Sequence, residues 1–258
     1  MGLAAKEEKR YCFDERLVYG NRFKQRCRVI YDEYGYYLNP KGIEGYYFVK
    51  TQYVEHFFKH FCPEENFVLI THNSDHSINE RHLPLLETKN LVAWLAVNVD
   101  THHPKLKAIP IGLCNFANFD TFHEVMQSKA DKTTLVYANY TIYTNPIERR
   151  RCLQLTGVPL AKQKPFREVC KDVASSYFVI SPEGNGIDCH RTWEALYLGA
   201  IPIVTKSPHT EAFKGLPILI IDSWKEYKNL ELTKELYDEL WESFTPEQLD
   251  FESFFQIL

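Results

Sequence analysis

The chain has 258 residues, of which 45% are hydrophobic and 14% aromatic, and its 30 Lys+Arg against 34 Asp+Glu give a formal net charge of −4. These values are typical of a globular protein with a sizeable core, and they exclude disordered, collagen-like and low-complexity chains. Because no basic block is longer than the three arginines at 149–151, nucleic acid is not expected as the main partner.

The seven cysteines are scattered along the chain and never form a CxxC pair. This usage predicts reduced thiols rather than a disulfide framework or a zinc module. The apolar stretch 195–204 is far shorter than the roughly 20 residues that a membrane span needs, and the N-terminal MGLAAKEEKR lacks an apolar segment. We therefore expect a cytoplasmic protein without a membrane span.

Short runs of β-branched and aromatic residues between turn formers predict strands. In chain order they cover 27–31, 67–71, 109–113, 134–139, 177–181, 201–204 and 217–221. Helical periodicity is found between them, at 53–61, 146–155, 166–175, 187–198 and 224–244. Alternation of apolar strands with helices is typical of βα units, so the predicted class is α/β, with parallel sheets covered on both faces.

A loop and a short polar helix are predicted at 115–132, and a new strand begins after them. We place a domain boundary there, which divides the chain into an N-terminal domain, 1–130, and a C-terminal domain, 131–258. The acidic end of the chain reads as helical and carries an apolar stripe, formed by Leu232, Leu236, Leu240 and Trp241. Packing of this C-terminal helix back onto the first domain would bury the stripe.

The stretch 177–204, YFVISPEGNGIDCHRTWEALYLGAIPIV, reads as strand, glycine-containing loop, helix, glycine stop and strand. A loop between the carboxyl end of a buried strand and the start of a helix presents free backbone N–H groups to phosphates. A dinucleotide-binding GxGxxG is not met, since its third glycine position holds Cys189. The candidate ligand-binding residues of this loop are Pro182, Glu183, Gly184, Asn185 and Gly186.

On a helix that begins near Ile187, the side chains of His190, Arg191 and Glu194 fall within about 100° of one another. Arg191 can neutralise a phosphate and Glu194 can accept two ribose hydroxyls, which is what a nucleoside diphosphate requires. The alternative is an exposed ion pair between these two residues on a solvated helix.

Two further residues extend this candidate site. One is at the end of the strand 134–139 and the other is in the next helix. Asn139 and Arg149 are candidate contacts for phosphate or sugar. Asn139 is equally an ordinary turn former, and the other two arginines of the run are expected on the surface.

A second polar cluster, ITHNSDHS at 70–77, follows the apolar run FVLI. Polar side chains at a strand end are how α/β sheets present chemistry, so this loop is the candidate acceptor site. Asp75 would be the general base for an attacking hydroxyl, with His72 or His76 as its alternatives. The loop fits equally well as a capping turn in which Asp75 or Ser77 caps the next helix.

Two sets of residues resemble exostosin-type glycosyltransferases and, more loosely, fucosyltransferases. The first is F-x-x-x-P-x-G followed by H-R-x-x-E-A-x-x-x-G-x-I-P-I-V, within 178–204. The second comprises ITHNSDHS and WLAVNVDTHHPKLKAIPIGL, which are similar to short bacterial and virus-encoded members such as the chlorella-virus transferases that decorate capsid glycans. Together the two sets span about residues 67–222.

The resemblance implies a compact GT-B fold, in which two Rossmann-like domains face each other across a cleft. A sugar nucleotide would bind the C-terminal domain and the acceptor the N-terminal domain. In the N-terminal stretches, Asn73, His76, Asp100 and His102 are then candidate acceptor contacts, although the HHP run is equally typical of a surface loop.

The expected reaction is the inverting transfer of a sugar from a UDP-sugar, with UDP-xylose as first choice, to a hydroxyl of a glycan. For a virus-encoded member the acceptor would be fucose of a capsid glycan, in the host-cell cytoplasm. No metal or other cofactor is expected, because the chain has no Asp-x-Asp triplet and its histidine pairs lack further ligands nearby. The alternatives are a GDP-fucose-dependent fucosyltransferase and a sugar-nucleotide-binding module without a base. The oligomeric state is not predicted.

Overall fold

The computed structural model describes residues 16–128, 130–242 and 244–255. They form a mixed α/β fold with two sheets, as the sequence predicted. The strands of the first sheet are β1 (Cys27–Asp32), β2 (Gly35–Leu38), β3 (Ile43–Lys50), β4 (Phe67–His72), β5 (Leu91–Ala96) and β6 (Leu106–Ala108). Their order is β2-β1-β3-β4-β5-β6, and the pair β1/β2 is antiparallel while the other pairs are parallel.

The second sheet is parallel throughout. Its strands are β7 (Thr134–Ala138), β8 (Ser176–Ile180), β9 (Ile201–Thr205) and β10 (Leu219–Ile221), in the order β10-β9-β8-β7. The helices are α1 (Gly20–Arg26), α2 (Val54–His60), α3 (Leu83–Leu86), α4 (Phe119–Gln127), α5 (Pro146–Thr156), α6 (Phe166–Ala174), α7 (His190–Tyr197), α8 (Pro208–Glu211), α9 (Lys234–Glu242) and α10 (Phe251–Phe255). Within the described residues, no helix has both the length and the apolar character needed to cross a membrane.

Central and edge strands differ in sequence for a physical reason. Every residue of β4 is buried, and its sequence is largely apolar because a parallel strand covered on both faces has no solvated side. Strand β2 lies at the sheet edge and alternates half-buried with exposed residues. Its first residue, Gly35, directly follows the turn from β1 and has φ 94°, a conformation that favours glycine.

A hydrophobic core is shared by the two sheets. It contains Ile30 and Phe48 of the first sheet together with Trp193 of α7, which is fully buried. The last helix, α10, joins this core, since the ring centroids of Phe251 and Phe23 of α1 lie 4.8 Å apart. The end of the described chain therefore packs against the helix that precedes β1.

The predicted helix 224–244 is wrong as a single element. It consists of a 3₁₀ turn, Glu226–Asn229, and of α9, and the backbone between them is extended at Leu230. The predicted apolar stripe packs on the second sheet, where Tyr237 of α9 meets the ring of Tyr177 edge-on at 5.1 Å. Contact with the first sheet is made by α10 instead.

The predicted strand 109–113 is also wrong, although the other predicted strands are confirmed to within two residues. Pro110 has no N–H to donate, Gly112 has φ 65°, and the N–H of Ile111 donates to the carboxylate of Asp188 at 2.8 Å. Only the N–H of Ile109 bonds to the neighbouring strand, at the carbonyl of Ala96, while Ile111 bonds to the second half of the chain, so the segment does not continue the sheet. Strands β2, β3, β5 and β6 were not predicted.

Candidate functional site

Two adjoining cavities lie where the carboxyl ends of the two sheets meet. The first cavity, about 540 Å³, lies at the ends of β1, β3 and β4. The second cavity, about 290 Å³, lies between the residues after β7, the loop 182–186 and helices α6 and α7. Asp75, Ile111 and His190 line both cavities, so the two share a wall. Carboxyl ends of parallel strands are where α/β folds bind ligands.

Two guanidinium groups line the second cavity, and neither forms an ion pair with a carboxylate of the described residues. Arg191 donates from Nε to the carbonyl of Asn139 at 2.7 Å, and its Nη1 is buried with no hydrogen-bond partner among the described residues. Arg149 is buried and donates to the carbonyls of Glu183 at 2.9 Å and Thr141 at 2.7 Å. Burial lowers the pKa of Arg149, and the charge of Arg191 lowers it further. The pair places two positive charges in this cavity, where they can bind an anionic group, although the acidic residues Asp75, Asp188 and Glu194 also line it.

Glu194 lies one helical turn after Arg191 and lines the same cavity. The two residues do not form the exposed ion pair that the sequence left open, since Glu194 is half-buried and its carboxylate has no hydrogen bond or ion pair with a described residue. Burial raises the pKa of Glu194, while the charges of His190 and Arg191 oppose this shift. A ligand hydroxyl would therefore meet a carboxylate with free acceptor capacity.

The loop 182–186 is folded back on itself and held by both halves of the chain. The N–H of Gly184 donates to the carbonyl of Gly186 at 3.0 Å, and the carbonyl of Pro182 accepts from the thiol of Cys189 at 3.5 Å. Asn185 donates from Nδ2 to Oδ2 of Asp75 at 3.2 Å, across the wall between the cavities. The loop thus connects the two candidate sites directly.

Gly186 is needed because the backbone there approaches another side chain closely. A Cβ on Gly186 would lie 2.5 Å from Nδ2 and 2.8 Å from Oδ1 of Asn98, whose Oδ1 also accepts from the N–H of Asp188 at 2.8 Å. We predict that Gly186→Ala lowers the free energy of unfolding by about 1–3 kcal/mol, as overpacking does. Gly215→Ala is the matched control, since a Cβ there has no neighbour within 4 Å. Urea denaturation measures both variants, and equal stabilities would contradict the prediction.

Helix α7 begins at His190, three residues later than predicted, because the side chain of Asp188 bonds to groups around it instead of starting the helix. Its buried carboxylate accepts from the N–H groups of Ile111 and Cys189, both at 2.8 Å, and from Nε1 of Trp193 at 2.8 Å. It also faces Nε2 of His209 at 3.1 Å. Burial alone would raise the pKa of Asp188, but His209 and the other donors outweigh it and hold the pKa below its ordinary value. Asp188 therefore joins the two halves beside the second cavity as an anion.

His190 is the first residue of α7 and lies on the wall shared by the cavities. Its Nδ1 lies 2.7 Å from the carbonyl of Gly112, which fixes the orientation of the ring when Nδ1 carries the proton. The ring is thus positioned by the first half of the chain, while its helix belongs to the second.

In the loop 70–77, His72 is not placed to act as the base. It is buried, its Nδ1 accepts from the N–H of Asn73 at 2.7 Å, and its Nε2 donates to the carbonyl of Pro110 at 3.1 Å. Burial lowers the pKa of His72 to about 4, although its contacts with the carbonyl of Pro110 and with the side chain of Asn73 oppose the shift. Both nitrogens are engaged, so the neutral ring serves to position Asn73.

The side chain of Asn73 is bonded within the protein and organises the loop 70–77. It has φ 57°, a left-handed conformation that asparagine tolerates, and it exchanges side-chain hydrogen bonds with Asn21 and Asn115 at 3.0 Å each. The capping alternative is wrong, because the next helical turn is capped by Asn79 and not by Asp75 or Ser77. Asp75 and His76 are exposed, and both line the first cavity.

Two predicted acceptor residues lie away from these cavities. His102 lines a separate cavity of about 500 Å³ together with Pro208 and Glu211. Asp100 donates its N–H to the carbonyl of Ile78 at 2.7 Å and is among the residues of neither the first nor the second cavity. The site that the described residues form therefore does not include them.

Glu183 introduces a pH dependence of stability. It is half-buried, and burial raises its pKa from 4.5 to about 7, helped by the negative charges of Glu148 and Asp100. Between these values the folded protein keeps a proton that the unfolded chain has lost, so the free energy of unfolding falls as the pH rises through this window. We predict that Glu183→Gln removes this fall. Urea midpoints at about pH 5 and about pH 8 measure it, and an equal fall in both proteins would contradict the assignment.

Asn98, Asp188 and His209 are among the residues at the site that were missed from the sequence. Asn98 is fully buried and has φ 55°, and His209 is 1% exposed and accepts from the N–H of Val99 at 3.3 Å. A polar residue directly after a long apolar run, as in WLAVN, is the one signal that pointed to Asn98. For Asp188 and His209 the sequence contains no such signal, because the residues they bind, Ile111 and Val99, lie far away along the chain.

No protein-family model matches the chain, and a search of the curated proteins finds no match to it. The likeness to exostosin-type glycosyltransferases therefore rests on the residues quoted for it. Within the described ranges, no group of three or more His, Cys, Asp or Glu side chains is arranged to hold a metal ion. Metal independence remains a prediction.

Proposed function

We propose that the protein is an inverting, metal-independent glycosyltransferase with a GT-B arrangement, which transfers a sugar from a UDP-sugar to a glycan hydroxyl. The observation that carries this proposal is the second cavity. Arg191, with a buried Nη1 that has no partner among the described residues, and Glu194, with a carboxylate that accepts no hydrogen bond from them, line it together. A cation beside an open carboxylate suits a diphosphate followed by a ribose.

The order of groups along the second cavity supports a nucleoside diphosphate. Arg191 and the N-terminus of α7 lie at one end, Glu194 follows one turn later, and Val169 and Val173 of α6 add an apolar surface for a base. Phosphate at the helix N-terminus is favoured by the free N–H groups and the helix dipole. UDP-xylose is the proposed donor.

In the proposed reaction the acceptor lies in the first cavity, and its hydroxyl attacks the anomeric carbon of the donor sugar. The bond from that carbon to the UDP oxygen breaks, the new glycosidic bond forms on the opposite face, and Asp75 takes the hydroxyl proton. Arg191 and His190 stabilise the charge that develops on the departing diphosphate. The position of Asp75 on the wall between the two cavities is what supports this role.

Thermal-shift and calorimetric titrations of UDP, GDP, UDP-xylose, UDP-glucose, UDP-GlcNAc, GDP-fucose and NAD, with and without EDTA, test the proposal. EDTA-insensitive binding of UDP and of one UDP-sugar is the expected result. Selective binding of GDP-fucose would favour a fucosyltransferase, which the looser part of the resemblance allows. Binding without transfer to any glycan would favour a sugar-nucleotide-binding module. No response to any nucleotide would overturn the proposal.

A further inference from the structure

Two exposed aromatic rings line the first cavity. Tyr34 is 82% exposed and Phe116 is 84% exposed, and both are among the residues that form the cavity. Large aromatic side chains are normally covered, because leaving them in water forgoes the free energy of burial. Here the rings border a mostly polar cavity that also contains Asp75. Exposed rings beside polar groups suit a ligand with both apolar and hydroxyl-bearing faces.

The fold holds both rings on fixed turns. Tyr34 lies in the β1/β2 turn, where its N–H donates to Oδ1 of the buried Asp32 at 2.9 Å and the ammonium of Lys24 lies 5.9 Å from its ring. Phe116 follows Asn115, whose Oδ1 accepts from the N–H of Asn21 at 2.8 Å. Because both turns are tied to α1 or to residues beside it, little ordering of the backbone would accompany binding to the rings.

The charges that line the first cavity are already compensated. Lys24 pairs with Asp32 at 2.6 Å, and Lys50 pairs with Glu33 at 3.2 Å. Asp75 adds a further negative charge to the lining. Neither lysine is therefore left unpaired to attract an anionic ligand, and Asp75 would repel such a ligand. The charge balance of the first cavity, with both lysines paired, favours a neutral ligand.

We propose that the first cavity binds a neutral oligosaccharide whose sugar rings stack on Tyr34 and Phe116. An aromatic face is electron-rich and attracts the polarised C–H groups of a sugar ring, while the cavity side chains can bond its hydroxyls. This inference rests on the proposed function, which makes the first cavity the acceptor site. It adds that the acceptor is neutral and not acidic. Tyr34 and Phe116 would be binding residues, not catalytic ones.

The test uses the full chain on an array of neutral and acidic oligosaccharides, with titration of UDP in parallel. We expect binding to neutral members. Tyr34→Ala and Phe116→Ala should each weaken it by roughly 3- to 10-fold, and Tyr34→Phe should retain it, because stacking needs the ring and not the hydroxyl. Tyr143→Ala is the matched control, since Tyr143 is also 82% exposed but lies outside the residues of this cavity. Melting temperatures should not change, because the rings are exposed.

The outcomes separate this inference from the proposed function. Neutral-glycan binding that depends on both rings supports the inference even if UDP fails to bind, in which case the transferase proposal falls. Preference for acidic glycans, binding that ignores the rings, or no glycan binding by a protein that binds UDP would overturn the inference and leave the donor site standing.

Discussion

Asp75→Asn is expected to lower the turnover of sugar transfer by at least about 100-fold while UDP binding stays within about 2-fold of wild type. The amide has nearly the shape of the carboxylate but cannot take the proton of the attacking hydroxyl. Asp75 is exposed and lies outside the buried core, so the variant should fold normally. Product formation under saturating donor, measured beside calorimetric titration of UDP, separates the chemical step from binding.

A matched control is available in Asp100→Asn, which changes another carboxylate that follows a strand of the same sheet and lies outside the two cavities. This variant should turn over at the wild-type rate. Asn185→Ala is expected to have a smaller effect than Asp75→Asn, because it removes only the 3.2 Å hydrogen bond that positions Asp75. Normal turnover by Asp75→Asn would exclude this base and move the assignment to His76, the exposed histidine of the same cavity.

Sequence reasoning succeeded where the relevant contacts are local. The placement of Arg191 and Glu194 on one face of a helix after a glycine loop follows from chain spacing alone, and the structure has both in one cavity. The error at the start of α7 came from Asp188, whose side chain binds Ile111, 77 positions away. Spacing within a motif carries no information on such a partner.

The same limit explains the missed and wrong strands. Strand β5 is a six-residue apolar run, and such a run is typical equally of a buried strand and of a buried helix segment. Strand β3 has two exposed residues at its start, which hides its period. The segment 109–113 looks like a strand by composition, yet the N–H of Ile111 and the carbonyl of Gly112 bond to Asp188 and His190 of the second half instead of to a strand. Which groups a backbone segment bonds is decided by the tertiary fold.

The joint between the halves follows from these long-range contacts. Asn98 and Ile111 from the first half bind Asp188 of the second, and His190 binds Gly112. Each of these bonds lies at the wall of the second cavity or directly behind it. The relative position of the two cavities is thus set by buried hydrogen bonds, and a donor and an acceptor bound in them would be held in a fixed relation.

Arg191→Ala is expected to weaken UDP binding by roughly 10- to 100-fold and to leave uridine binding nearly unchanged, because hydrogen bonds to a charged group contribute about 1.5–3 kcal/mol. Glu194→Gln should instead weaken UDP and uridine alike, since the ribose is common to both. Arg150→Ala, which removes an exposed arginine from α5, is the control for the loss of one positive charge.

Competition titrations of UDP and uridine against each variant measure this difference, and melting temperatures report on folding. Arg191 also donates to the carbonyl of Asn139, so its variant can lose some stability without losing the distinction between the two ligands. That distinction is the decisive readout, because a general loosening of the site would weaken UDP and uridine to the same extent. Equal losses for both ligands in Arg191→Ala would contradict the assignment of Arg191 as a phosphate contact. The proposed direction of the nucleotide along α7 would then have to be reversed.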